Sequence, residues 1–436
     1  MATQEIESRT SIPRRRWRIA WLLGFGVLIN YFDRVNLSVS HEALFATFGV
    51  TDVVFGYLSA AYNITYCICQ IPVGVVLDKL GVKRVQRVGT FLWSMASFGG
   101  ALTPTLSGLF GARFLLGVGE APTFPANAKA VGRWFPQRER SFATAFFDSA
   151  SKLASAIGVP LMGVILVGAG WRWSFAATGF ISFAFFVLFW YVYKEPHEDA
   201  ELSDAERRWI EETDESAEDL ELADAPSSPL LHLLKQPKVI GLSLGFGSYN
   251  YVFYLLLAWL PSYLSEALHI DLLHSFLYTS FPWLIGFLTD MFIGGWLVDY
   301  LIHRGFNANR VRRIVLIGGT AFGLGILGAV HAHTAETALL WISISLGGLS
   351  AAAPVGWSVP SLIARRNDVG KVGGILNFSN QASGIIAQIA TGYLFTAFHG
   401  FGWVFGVCAI YLVIGITAYI VLLGKIEQMP RKHLQA

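Results

Sequence analysis

The chain has 436 residues, of which 54% are hydrophobic and 14% charged, with a formal net charge of +2 and a mean hydropathy of +0.50. A soluble globular chain carries about a quarter charged residues, so these values exclude a soluble globular protein and place the chain in a lipid bilayer. The three cysteines, Cys67, Cys69 and Cys408, fall within apolar runs, with no metal-site spacing and no disulfide framework.

In chain order, Arg14-Arg-Arg-Trp-Arg18 leads into an apolar segment too long for the core of a cleavable signal peptide, which makes it the first membrane span. A spanning helix needs about 20 mostly apolar residues. That window predicts twelve: 17–40, 53–77, 86–104, 107–130, 141–166, 172–193, 239–264, 274–300, 312–332, 337–363, 370–395 and 401–424. Lys and Arg test the count, because cytoplasmic loops are enriched in them. With both termini inside, 27 of the 32 fall in cytoplasmic segments and one, Arg172, falls outside; the others, Arg34, Arg113, Lys129 and Lys152, lie within spans. One span missed or invented would destroy this asymmetry. The expected fold is therefore an all-α integral membrane protein of twelve helices with both ends in the cytoplasm.

The longest polar stretch divides the spans six and six. It sets the expected domains at 1–193, a linker at 194–238, and 239–436. The linker holds 14 acidic residues between Glu195 and Asp224, and Ser203-Asp-Ala-Glu206 has the pattern of a capping box that opens a short helix. It is expected to be solvated. The halves repeat a feature at the same loop: Gly74-Val-Val-Leu-Asp78, followed by Arg84, recurs as Gly295-Trp-Leu-Val-Asp299. Two six-helix halves with repeated interior features are the pattern of a secondary transporter.

"GVVLDKLGVKR" resembles the loop between the second and third helices of the major facilitator superfamily, and "RFLLG", from Arg113, resembles its fourth-helix motif. "NYFDRVNLSV", "GVGEAPTFPAN", "RWFPQRERS" and "AWLPSYL" are similar, in the same order, to the anion:cation symporters, which include bacterial galactonate, glucarate and hexuronate carriers. The resemblance implies two pseudo-symmetric six-helix halves, with gating residues at Gly74, Asp78, Arg84, Gly295 and Asp299. The short segment between the first two spans favours the bacterial branch and hence the inner membrane.

Asp33 and Arg34 lie in the middle of the first span, where a charge costs several kcal/mol. They must face the interior, and Arg113 and Glu120 on the fourth span are the expected partners. Buried ion pairs add little net stability compared with apolar replacements, although two pairs fixing helix packing are the structural alternative. Arg cannot deprotonate and presents a planar fork that matches a carboxylate, so Arg34 is the candidate anion site. Asp33 and Glu120 can be neutralised when desolvated, so they are the candidate proton carriers, with Arg113 tuning them; the resemblance implies the same roles. Tyr31, Asn250, Tyr254, Asn380 and Gln381 supply polar groups for a cavity. Tyr66, Trp357 and Asn377 join them because the resemblance places those positions on the sugar acid. Where the galactonate carriers have a Gln, this chain has Ser151 beside Lys152. Lys152 can pair with Asp148 one turn away or contact the solute.

The expected function is proton-coupled import of a small organic anion, most of all a sugar acid such as an aldonate, aldarate or hexuronate. An aromatic-acid or dicarboxylate symporter is the alternative, and a receptor that does not transport is a third reading. The sequence shows no metal-ligand cluster, no cofactor motif and no nucleophile with a base at usable spacing, so an enzyme is not expected. The expected partners are the anion, protons and the bilayer, with no nucleic acid, and the chain is expected to act as a monomer.

Overall fold

The computed structural model describes residues 14–211, 228–268, 270–332, 334–365 and 368–429. The twelve spans all form helices. In the first half these are α1 (Arg15–Val39), α2 and α3 (the two arms of Asp52–Leu102), α4 (Leu106–Glu120 continued by Thr123–Trp134), α5 (Gln137–Ala169) and α6 (Trp171–Val192). In the second half they are α7 (Pro237–Ser262, extended by Tyr263–Ala267), α8 (Leu272–Thr289, Asp290–Leu297 and Val298–His303), α9 (Ala308–Phe322 with Gly323–His331), α10 (Ala335–Ile363), α11 (Val369–Phe398) and α12 (Gly402–Ala418 with Tyr419–Leu423).

Seven of these helices are long and apolar enough to cross a membrane individually, and α2 joins them when taken with the short helix His41–Phe48 before it. The other four have clear reasons to fall short. Helices α1, α4 and α11 carry the polar residues of the interior, and α3 runs on from α2 across Gly81. Gly81 has φ 76°, a left-handed conformation that glycine adopts without steric cost, and it turns the chain between the arms. Helix α4 breaks after Glu120 at Ala121-Pro122. The centre of α8, from Asp290 to Leu297, is wound as a π-helix, a local form that often marks functional sites.

Small residues bring the α2 and α4 backbones together. A Cβ on Gly117 would lie 2.3 Å from the Tyr62 carbonyl oxygen, so only glycine permits this approach, and it sets Glu120 beside the tyrosines of α2. The halves meet along α1 with α7, α2 with α11, and α5 with α8.

The first part of the linker, expected to be solvated, is docked through the buried Glu195, Asp199 and Glu206, while Glu198 and Glu201 stay exposed. In the helix Asp204–Glu211, the fully buried Glu206 accepts the backbone N–H groups of Arg15 and Arg16 at 3.1 and 3.0 Å and pairs with the Arg16 guanidinium at 2.9 Å. Ser203 forms its half of the expected capping box, accepting from the Glu206 N–H at 3.2 Å. The Glu206 carboxylate caps α1 instead, where it also complements the positive end of the helix dipole. Asp199 pairs with Arg15 at 2.9 Å, Glu195 with Arg133 at 2.8 Å and Glu198 with Lys83 at 2.6 Å. The excess acid of this stretch neutralises basic helix ends of the first half. The expected linker residues 212–227 lie outside the described residues.

Candidate functional site

Arg34 is the hub of the interior. Its Nε lies 3.2 Å from Glu120 Oε2, and its Nη2 donates to Asn30 Oδ1 at 2.7 Å, one turn back on α1. The guanidinium carbon stands 4.2, 4.8 and 5.5 Å from the ring centres of Tyr31, Tyr62 and Tyr66. Three ring faces thus stabilise the cation where water is excluded. The remaining arm, Nη1, reaches toward the second half, with the Tyr254 hydroxyl at 3.5 Å. Asn30 and Tyr62 are absent from the set expected from sequence, although each lies four residues before a candidate, Arg34 or Tyr66, and that spacing is the signal that could have found them.

Asp33 departs from the expected network. Its carboxylate accepts hydrogen bonds from Ser97 of α3 at 2.5 Å and Ser182 of α6 at 3.0 Å, away from Arg34 and the seam between the halves. Arg113 donates to the Asp33 backbone carbonyl at 3.3 Å and stands 5.4 Å from the Tyr62 ring centre. It forms no ion pair among the described residues. Adjacent residues on a helix point about 100° apart, and here Asp33 faces α3 and α6 while Arg34 faces α4 and α7. The expected four-charge network is one ion pair, Arg34 with Glu120, plus a serine-bound aspartate.

The second half supplies a polar wall. The Tyr254 hydroxyl donates to Gln381 Oε1 at 3.2 Å, and Asn250 Nδ2 donates to the Asn380 carbonyl at 2.6 Å. The Asn380 side chain has no hydrogen-bond partner for either polar atom among the described residues. Asn377 Nδ2 crosses between the halves to Gln70 Oε1 at 3.2 Å. Trp357 on α10 leaves 40% of its surface exposed and packs edge-on against Phe246 at 5.1 Å. Tyr31 and Tyr66 are buried. Ser151 is also buried, and its hydroxyl donates to the Asp148 carbonyl at 2.7 Å, within its own helix.

Lys152 lies in a cluster that only the fold reveals. Its Nζ is 2.9 Å from Asp148 Oδ2 on the same helix and 2.8 Å from Asp290 Oδ2 on α8 of the other half. Helix spacing alone pairs it with Asp148 and leaves Asp290 as a lone acid 138 positions away.

The hydrogen bonds between halves run from Gln70–Asn377 toward the face away from the termini. Asn63 reaches Gln388 at 2.9 Å, Ser38 the Ala258 carbonyl at 2.9 Å, and Tyr57 meets Tyr393 at 3.2 Å. On that face His41 sits between Asp52 at 3.4 Å and Glu266 at 3.5 Å, with Ser262 Oγ at 2.9 Å. The ligand atoms of His41, Asp52 and Glu266 all lie within 4.8 Å of one another, so this clasp between the halves is also a group that could hold a metal ion, one that sequence spacing did not reveal. Next to Arg34 on this side is a cavity of about 20 Å³, enough for one water.

Toward the termini the halves diverge. Gly74, one turn beyond Gln70, and Gly373 and Gly374, one turn before Asn377, have nothing within 4 Å of where a Cβ would stand. The expected gate residues Arg84 and Asp299 are exposed and make no ion pair among the described residues, and Gly295 is half-buried. The side chain of Asp78 lies outside the described residues. Among the described residues, the hydrogen bonds that join the halves thus gather on the far face, away from the side where Arg14 and Met429 lie.

The description "Major Facilitator Superfamily" fits residues 23–308. The chain is 38% identical over 419 residues to "Uncharacterized transporter YybO" of Bacillus subtilis (strain 168), covering 95% of each chain. It is 29% identical over 421 residues to the "D-galactonate transporter" of Escherichia coli O6:H1, covering 95% of this chain and 97% of that one. Among solved structures, a bacterial homolog of the human lysosomal transporter Spinster shares the fold with a TM-score of 0.74 at 15% identity, covering 94% of this chain and 97% of the other. With twelve helices in two halves around a charged interior, and with transporters as its relatives, the chain belongs to the major facilitator superfamily and is a membrane transporter, not an enzyme.

Proposed function

We propose that the protein is a proton-coupled symporter that imports a sugar acid by alternating access, acting as a monomer in the inner membrane with both termini in the cytoplasm. The observation that carries this reading is the Arg34–Glu120 pair at the seam, with Arg34 Nη1 turned toward Tyr254 of the other half. A buried guanidinium needs one counter-charge. Glu120 supplies it when the site is empty; a solute carboxylate supplies it when the site is full. Solute binding then favours protonation of Glu120, and protonation of Glu120 frees Arg34 for solute, because linkage is reciprocal. That reciprocity is symport chemistry. Asp33, held by two serines, is the second acid that can exchange a proton, and Arg113 positions it through its backbone.

Amide and hydroxyl groups at Asn377, Asn380, Gln381 and Tyr254 suit a hydroxylated chain, and Trp357 offers a ring for its CH face. A relative of this chain is named for D-galactonate, a sugar acid. Lys152 is already paired with two carboxylates, so the second anionic group of a dicarboxylate finds no free cation there. An aldonate or hexuronate fits better than an aldarate or another diacid. The test is uptake by proteoliposomes under an inward proton gradient, with galactonate, glucuronate, glucarate and succinate as solutes. Accumulation of a mono-acid that collapses with the gradient is expected; uptake indifferent to the gradient refutes the coupling.

A further inference from the structure

We propose that Asp148, Lys152 and Asp290 form a second proton-binding site at the seam between the halves, separate from Glu120; this rests on the symport reading above. The first argument is a charge count. Lys152 Nζ is the one cation against two carboxyl groups, at 2.9 and 2.8 Å, with side-chain exposures of 2% for Lys152, 16% for Asp148 and 0% for Asp290. Around Arg34 the acids and bases balance, with Glu120 and Asp33 against Arg34 and Arg113. Here an unneutralised negative charge would remain inside the membrane unless one carboxyl holds a proton, and burying an unpaired charge costs far more than burying a neutral acid. The other ionisable groups facing the cluster are Tyr249 of α7 and Tyr31 of α1, phenols that lose a proton only near pH 10 in water. They supply no compensating charge.

The second argument is placement. Asp290 opens the π-helical turn of α8. Lys152 touches one of its oxygens, and neither oxygen has a partner in hydrogen-bond geometry among the described residues. The Lys152–Asp290 contact ties α5 of one half to α8 of the other, so rocking of the halves changes it. While it holds, Lys152 donates a hydrogen bond to Asp148 and neutralises it, and Asp290, fully buried with neither oxygen in hydrogen-bond geometry, is the carboxyl that holds the proton. When rocking of the halves loosens the contact and lets water reach Asp290, its O–H bond breaks, the proton leaves to that water, and the carboxylate left behind is solvated. The step moves one proton between a carboxyl group and water and needs no other reactant.

The experiment is the proton-to-solute ratio, read as the reversal potential of solute flux in proteoliposomes. Asp290→Asn leaves Lys152 and Asp148 as a balanced pair, and Asp148→Asn leaves Lys152 and Asp290 as one. Each variant is expected to retain solute exchange and to carry one proton fewer per solute. Glu120→Gln is the separate arm: a ratio that falls only there supports the Glu120 reading and overturns this one, and a ratio that falls only in the Asp variants does the reverse. An unchanged ratio in a folded variant overturns the proposal, as does loss of exchange in both, which marks the cluster as a structural tie. If one variant fails to fold, the other decides.

Discussion

Arg34 Nε on α1 and Glu120 Oε2 on α4 stand 3.2 Å apart, with side-chain exposures of 4% and 0%, inside one half of the molecule but facing the other. Each is the countercharge that makes burial of the other tolerable, so whatever replaces one partner must also supply its charge.

Replacing Arg34 by Lys keeps the charge and loses the fork. A point charge cannot engage Glu120, Asn30 and a solute carboxylate together. The loss of one charge-assisted hydrogen bond, about 1.5–3 kcal/mol, predicts solute affinity weakened roughly 10- to 150-fold with folding retained. Calorimetric titration of purified protein with the transported mono-acid checks this, and near wild-type affinity in Arg34→Ala would remove Arg34 from the site.

Glu120→Gln fixes the neutral form of that side chain. Exchange of labelled for unlabelled solute is expected to persist, because Arg34 is then permanently available to a carboxylate. Accumulation driven by a proton gradient is expected to fall, with one proton fewer carried per solute. Equal loss of both activities would show that the pair serves packing alone.

The far face closes by backbone contact between α2 and α11. A Cβ on Gly56 would lie 2.6 Å from the Gln388 carbonyl oxygen, and one on Gly392 would lie 2.4 Å from that of Asp52. Gly56→Leu should hold this face apart, since a close-packed seam cannot absorb a bulky side chain. A cysteine at buried Ser59, in a background without Cys67, Cys69 and Cys408, should then react with an impermeant maleimide from that face. Transport should fall to background. Unaltered labelling would mean the seam can open or shift to make room.

Glu206→Ala removes the cap of α1 and one carboxylate partner of Arg16, which still meets Glu139 at 2.8 Å. Breaking a buried pair costs about 3–5 kcal/mol, so the melting temperature followed by tryptophan fluorescence should fall clearly. Glu201→Ala is the control, because Glu201 is 57% exposed where it meets Arg15, and exposed pairs contribute about 0–1 kcal/mol. Equal melting of the two variants would show that the docked linker does not stabilise the first half.

The bilayer, the twelve helices and the division into halves are legible in the bare chain, because spans are read from runs of apolar residues and from the sidedness of Lys and Arg, both local properties. Arg34, Glu120 and Lys152 are legible too, since a charge inside an apolar run is visible without a fold. Which side chain partners which is a matter of packing. Asp33 turns to Ser97 and Ser182 because its neighbour's side chain leaves the helix in a different direction, and Lys152 meets Asp290 because α5 of one half packs on α8 of the other. The clasp of His41 with Asp52 and Glu266, and the gathering of the hydrogen bonds between halves on one face, likewise depend on how the two halves are set against each other, a relation that no stretch of sequence contains.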